Sequence, residues 1–156
     1  MRSIPKLAVA LVACFGVGAI GGAFTATSVN TWYAQLIKPD ISPPNWVFAP
    51  VWNFLYFLMA AALYLVWVSE KTKYKNAALS MFACQLLVNT VWSAVFFGAK
   101  SPVGGLVVIL SLLILIGWTI MLFRRVCAKS ALLLTPYWLW VCFAAYLNYR
   151  LWILNR

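Results

Sequence analysis

Residues 101–123 read SPVGGLVVILSLLILIGWTIMLF, and none of them carries a charge. A helix that crosses the hydrocarbon core of a bilayer needs about 20 consecutive, mostly apolar residues, so this stretch is long enough to span it. The charged residues elsewhere bound four further uncharged stretches, at 7–37, 41–69, 76–99 and 130–149. The sequence therefore predicts five membrane-spanning segments.

These stretches favour helices over barrel strands. Barrel strands alternate apolar and polar residues, whereas a helix satisfies its backbone hydrogen bonds internally and can be apolar throughout. We expect an all-α integral membrane protein, a five-helix bundle forming a single domain over residues 1–156. The helices are predicted at about 7–28, 46–69, 77–99, 103–123 and 131–153.

The connection at 29–45 differs from the other three, which are short. It contains Thr31-Trp32-Tyr33, Lys38-Pro39-Asp40 and Pro43-Pro44, and its prolines impose extended or turn geometry. We predict a structured, lid-like loop over one end of the bundle. The alternative is an interfacial loop that its aromatic residues merely anchor.

The chain has 12 Lys and Arg residues against 2 Asp and Glu residues, a net charge of +10. Such an excess can indicate nucleic-acid binding in a soluble protein. Here the basic residues lie in short connections, where they would contact anionic headgroups of membrane lipids. We therefore expect membrane lipids as partners and no nucleic acid.

The basic residues are divided unequally between the two ends of the bundle. The end with the N-terminus has Arg2, Lys6, Lys71, Lys73, Lys75, Arg124, Arg125 and Lys129, and the other has Lys38, Lys100, Arg150 and Arg156. The positive-inside rule then predicts a cytoplasmic N-terminus in a bacterial-type cell membrane.

The four cysteines, Cys14, Cys84, Cys127 and Cys142, have no paired short spacing, so the sequence predicts neither a disulfide framework nor a metal site. Arg2 and Lys6 before an apolar stretch imitate a signal peptide, and Leu11-Val12-Ala13-Cys14 imitates a lipoprotein cleavage site. The apolar stretch runs past Cys14 to Val29 without a polar spacer, which favours an uncleaved first helix.

Gly18 and Gly22 are separated by three residues on the first predicted helix. This spacing lets two helix backbones approach closely and predicts the face of a homodimer. The alternative is that another helix of the same chain fills the groove.

The 9 Trp, 7 Tyr and 10 Phe residues are too numerous to serve only as interfacial belts. Trp67, Trp118 and Trp152 lie near predicted helix ends and suit the interface. Helical spacing places others on one face of each of three helices: Phe48, Trp52 and Tyr56 on the second; Asn89, Trp92 and Phe96 on the third; Tyr137, Trp140, Ala144 and Leu147 on the fifth.

One such stripe is typical of ordinary helix packing. Asn89 adds an amide near mid-span, where it needs a partner from another helix, a water or a ligand. Three stripes, this amide and a proline-rich lid together favour a pocket for a flat, largely apolar ligand.

The motifs of three segments together resemble the TspO/MBR family of tryptophan-rich sensory and translocator proteins. They are Trp32-Tyr33 through Pro43-Pro44-x-Trp46-x-Phe48-x-Pro50-Val51-Trp52-x-x-Leu55-Tyr56, Gln85-Leu86-x-x-Asn89-x-x-Trp92-Ser93, and Pro136-Tyr137-x-x-Trp140-x-x-Phe143-Ala144-x-x-Leu147-Asn148.

The resemblance implies a five-helix bundle, often dimeric, that binds porphyrins of the protoporphyrin IX type and drug-like aromatic ligands beneath the first loop. By similarity the pocket contains Tyr33, Pro43, Trp52, Asn89, Trp92, Trp140, Ala144 and Leu147. Trp52 and Trp140 match the pair implicated in light-dependent porphyrin breakdown. Val141-x4-Tyr146-x3-Arg150 fits the cholesterol-recognition pattern that the family is noted for, a pattern that many helix ends match.

We therefore expect a membrane receptor or carrier for a tetrapyrrole, with sterol-type lipids as further ligands and no required cofactor. One alternative is a light- and oxygen-dependent porphyrin-degrading enzyme; conventional acid-base catalysis is not expected, since the chain has no His and no carboxylate pair. The other is facilitated transport, because no acidic residue lies at mid-span for ion coupling.

Overall fold

The computed structural model describes residues 3–156, so the contribution of Arg2 to the charge bias lies outside the described residues. The helices are α1 Ile4–Ser28, α2 Trp32–Gln35, α3 Asn45–Val68, α4 Lys75–Ser93 with a π-helical turn at Ala94–Gly98, α5 Pro102–Val126 and α6 Ala128–Leu154. Five of them are long and apolar enough to cross a membrane. The predicted all-α membrane bundle is confirmed.

The long helices begin up to three residues earlier than the sequence predicted, and α5 ends three residues later. Lys75 and Lys129 lie in the first turns of α4 and α6, and Arg124 and Arg125 lie in the last turn of α5. Long basic side chains can reach the headgroups from inside a helix, so a charge does not mark the helix end.

The five long helices form a closed ring. α1 packs against α3, α3 against α6, α6 against α5, α5 against α4, and α4 again against α1. Phe82 of α4 stacks on Phe123 of α5 with ring centroids 5.6 Å apart, and both are buried. This ring pair lies in the half of the bundle away from the loop 29–44.

Gly18 allows α1 and α3 to approach closely. A Cβ atom at Gly18 would lie 2.7 Å from the ring of Tyr56, whereas one at Gly22 would meet no atom within 4 Å. Tyr56 of the same chain therefore fills the groove at Gly18, as the alternative interpretation of this spacing held. The dimer face at Gly18 and Gly22 and the homodimer itself stay predictions.

The loop 29–44 is ordered over one end of the ring. Tyr33 is 5% exposed and packs against Phe96 and Phe97, with ring centroids 6.3 and 5.7 Å away. The side chain of Asn155 holds the loop to the end of α6, because its Oδ1 accepts from Ile37 N at 2.9 Å and its Nδ2 donates to Ile37 O at 2.9 Å. The loop thus covers the space below it.

Candidate ligand-binding cavity

A cavity of about 680 Å³ lies beneath the loop 29–44, surrounded by α1, α3, α6 and the last turns of α4. Its volume falls in the usual range for sites that bury a small organic ligand. Nine of the twelve predicted pocket residues line it: Tyr33, Phe48, Trp52, Tyr56, Trp92, Phe96, Trp140, Ala144 and Leu147.

Four of these rings form a continuous aromatic column along one wall. Trp52 stacks on Tyr56 with centroids 5.6 Å apart and on Trp92 at 6.4 Å, both at an interplanar angle of 29°. Trp92 in turn stacks on Phe96 at 5.6 Å and 21°. All four residues line the cavity, so a planar aromatic ligand in it can contact this column of rings.

The two tryptophans at opposite walls differ in their hydrogen bonding. Trp92 Nε1 donates to Asn148 Oδ1 at 3.3 Å, and Asn148 Nδ2 donates to the carbonyl of Pro102 at 2.7 Å, so the Trp92 ring is fixed. Trp140 packs edge-on against Phe48, with centroids 6.0 Å apart. Its Nε1 is buried and has no hydrogen-bond partner within residues 3–156.

Asn89 and Tyr137 lie below the floor of the cavity rather than in its wall. Asn89 Oδ1 accepts from the Tyr56 hydroxyl at 3.0 Å, and its Nδ2 donates to the Tyr137 hydroxyl at 2.9 Å. Tyr137 donates to Gln85 Oε1 at 3.0 Å. The Asn89 amide is therefore bonded by side chains of other helices. This corrects the predicted contact of Asn89 and Tyr137 with a ligand, because Tyr56 lies between them and the cavity.

Pro43 is also absent from the cavity wall. It lies in the extended segment that leads into α3, whose first residues, Asn45 and Trp46, line the cavity instead. Pro43 precedes Pro44, the N-cap of α3, and two consecutive prolines restrict the direction from which the chain enters the helix.

The predicted sterol motif does not form one surface. Val141 is fully buried, whereas Tyr146 is 44% exposed and accepts a hydrogen bond from Arg150 Nη1 at 3.4 Å. A step of five residues turns a helix well away from its starting face, so a lipid at Tyr146 could not also contact Val141.

In the loop 29–44, a buried phenol, that of Tyr33, lies beside the ammonium group of Lys38. Burial raises the pKa of the Tyr33 phenol, which keeps it neutral, and Lys38 Nζ lies 4.6 Å from the centre of its ring. A cation over an aromatic face is attracted by the ring's quadrupole. The positive end of Lys38 therefore lies at the covered end of the cavity.

Sequence reasoning missed several wall residues. Asn148 continues the stripe of Tyr137, Trp140 and Ala144 by one more turn and could have been found by its spacing. Helix α1 contributes mainly small residues, including Gly21, whose added Cβ would lie 3.0 Å from Ser93 Oγ. Small residues carry no distinguishing signal in a membrane helix, so α1 could not have been assigned to the site.

Comparison with known proteins bears directly on this arrangement. A model of the TspO/MBR family matches residues 9–153. The chain is 42% identical to the tryptophan-rich protein TspO of Chlorobaculum tepidum over 99% of this chain and 98% of that one. It is 40% identical to TspO of Archaeoglobus fulgidus over 98% and 99%. It is 37% identical to the translocator protein of Ovis aries over 98% and 91%.

The match extends over all five long helices, and the identities hold over nearly the full length of each relative. The resemblance seen in the tryptophan and proline motifs is therefore confirmed. This chain is an integral, multi-pass membrane protein that belongs to the TspO/MBR family.

Proposed function

We propose that the protein is a membrane receptor or sensor that binds a tetrapyrrole of the protoporphyrin IX type in the cavity. The observation that carries this proposal is the column of nearly parallel rings from Tyr56 to Phe96 along a cavity of about 680 Å³. A planar macrocycle can stack on such a column and bury most of its surface. Drug-like aromatic molecules would use the same wall.

The chemistry of the wall favours a metal-free ring. The chain has no histidine to ligate haem iron, and stacking with burial requires no metal. The wall is mostly aromatic and aliphatic, with a few amide side chains such as Asn53 and Asn148. Affinity would then come from apolar area and ring stacking, and orientation from a few polar groups.

Titration with protoporphyrin IX tests this proposal in the dark. We expect wild-type tryptophan fluorescence to be quenched in a saturable way, and the variant Trp140→Phe to bind about three- to tenfold more weakly, because phenylalanine gives the cavity wall a smaller aromatic surface. The matched control is Trp118→Phe, which removes a 54% exposed indole from the outer face of α5. Equal affinities for the two variants would contradict a role of Trp140 in the site.

The same samples under illumination test the alternative of porphyrin degradation. Trp52 and Trp140 both line the cavity, where each could react with an excited bound ring. If degradation is the function, loss of the porphyrin absorbance should be slower in Trp52→Phe and Trp140→Phe when both are saturated with ligand. A rate unchanged by either substitution would leave binding as the function.

We propose further that the N-terminus lies in the cytoplasm of a bacterial-type cell membrane. Within the described residues, Lys6, Lys129 and the basic residues near 71–75 and 124–125 lie at one end of the bundle, and the loop 29–44 lies at the other. Fusion of a reporter that is active only in the cytoplasm should give signal at the N-terminus and none at the C-terminus. The reverse pattern would refute this orientation.

A further inference from the structure

The cavity has an opening along its side. On α1, the wall residues Ala19, Gly22 and Ala26 are exposed, and on α3 so are Ala49 and Asn53. The wall residues of α6 at the opposite side are buried or half-buried. The side of the cavity between α1 and α3 is therefore its open side, and it faces the lipid.

Short side chains produce this opening. α1 and α3 are in contact at Gly18 and Tyr56, but one turn further towards the loop, Gly22 has nothing within 4 Å of an added Cβ. Facing it, Ala49 is also small. Since the exposed wall residues Gly22 and Ala49 are small, the two helices leave a slot at this level instead of closing against each other.

Asn53 is the polar side chain in this slot. It lies eight residues after Asn45, the first residue of α3, which is about 12 Å along the helix axis and inside the hydrocarbon region. Its amide makes no hydrogen bond with any group in residues 3–156, although a bare amide in hydrocarbon is costly. The buried amide of Asn89 is, by contrast, bonded to two tyrosines.

We infer that Asn53 makes the cavity prefer ligands that carry a carboxyl group, because its amide forms hydrogen bonds with that group. A carboxylic acid and a primary amide are complementary: Nδ2 donates to the acid's carbonyl oxygen, and Oδ1 accepts from its hydroxyl. Both groups are neutral in this pairing, so it requires no charge to be buried. One contact would thus satisfy both polar atoms of Asn53 at once.

This inference rests on the proposed tetrapyrrole function and adds to it. Protoporphyrin IX is a flat apolar ring with carboxyl groups at one edge. With its ring against Trp52, the residue before Asn53, that edge can point towards the slot. Asn53 lies at the cavity surface and can make this contact, whereas the Asn89 amide is already bonded to two tyrosines.

A comparison of two porphyrins distinguishes the contact between Asn53 and the carboxyl group from binding of the porphyrin ring itself. Octaethylporphyrin has a similar flat ring but no carboxyl group. For Asn53→Leu, we expect the Kd for protoporphyrin IX to rise about five- to tenfold, whereas the Kd for octaethylporphyrin stays within twofold of wild type. Binding is measured by tryptophan quenching of the full chain in lipid nanodiscs.

The control variant is Phe54→Leu, which changes the adjacent, 59% exposed residue outside the cavity and should alter neither Kd. An unchanged affinity of Asn53→Leu for protoporphyrin IX, or an equal loss for both porphyrins, would overturn the inference. A misfolded variant would lose octaethylporphyrin as well and would also show a lowered Tm. If wild-type protein binds neither porphyrin, the proposed function itself fails, and this inference fails with it.

Discussion

Asn89→Leu is expected to lower the Tm of the purified protein by about 3–10 °C, which corresponds to about 1–3 kcal/mol. Asn89 accepts from Tyr56 and donates to Tyr137, and it lies 1% exposed where α3, α4 and α6 meet. Leucine has a similar size but bonds to neither hydroxyl. Both phenols would then lose a partner in a space that holds no bulk water.

The measurement is thermal unfolding in detergent, followed by circular dichroism. Asn76→Leu is the matched control, because Asn76 is an exposed residue in the first turns of the same helix, and its Tm should stay within about 1 °C of wild type. Tyr137→Phe keeps the ring but removes the hydroxyl that accepts from Asn89 and donates to Gln85, so its loss of stability should be similar. A wild-type Tm for Asn89→Leu would show that the network contributes little.

Ala144→Phe is expected to weaken protoporphyrin binding by about 30-fold or more, the equivalent of about 2 kcal/mol. Ala144 is 8% exposed and lies in the cavity wall between Trp140 and Leu147. A phenyl group there would occupy volume that the macrocycle needs. Because the cavity has room for the added ring, the Tm should be unchanged or higher, which separates blocked binding from misfolding.

Leu132→Phe is the control for this substitution, since it places the same phenyl group on the same helix at a residue that is 71% exposed. Its affinity for protoporphyrin IX should equal that of wild type in the same quenching assay. Wild-type affinity for Ala144→Phe would show that the ligand binds elsewhere in the molecule.

Hydropathy predicted the five helices because the need to span a bilayer acts on each segment separately. The errors lie at the ends, where Arg124 and Arg125 extend α5 beyond its uncharged stretch. Charge is a local marker of the interface, but a helix ends where its backbone hydrogen bonds end. The short helix α2 was not predicted, since four residues show no period.

Periodicity predicted which face of each of three helices points inward, and eight of the ten residues on those faces line the cavity. Periodicity could not predict which residues along such a face line the cavity and which are covered by other side chains. Asn89 and Phe96 share a face of α4, yet Tyr56 separates Asn89 from the cavity and Phe96 lines it. Asn53 was not predicted because it follows Trp52 directly in the chain and therefore does not lie on the stripe of Phe48, Trp52 and Tyr56.

Composition, hydropathy and aromatic spacing were enough to establish an all-α bundle of five spans with several aromatic inward faces, because each of these properties depends on residues close together in the chain. The order of the helices in the ring, the pairing of Asn89 and the slot beside Asn53 depend on contacts between residues far apart in the chain. Those contacts form only when the helices pack, so the folded molecule alone decides which polar groups are satisfied and which face a ligand.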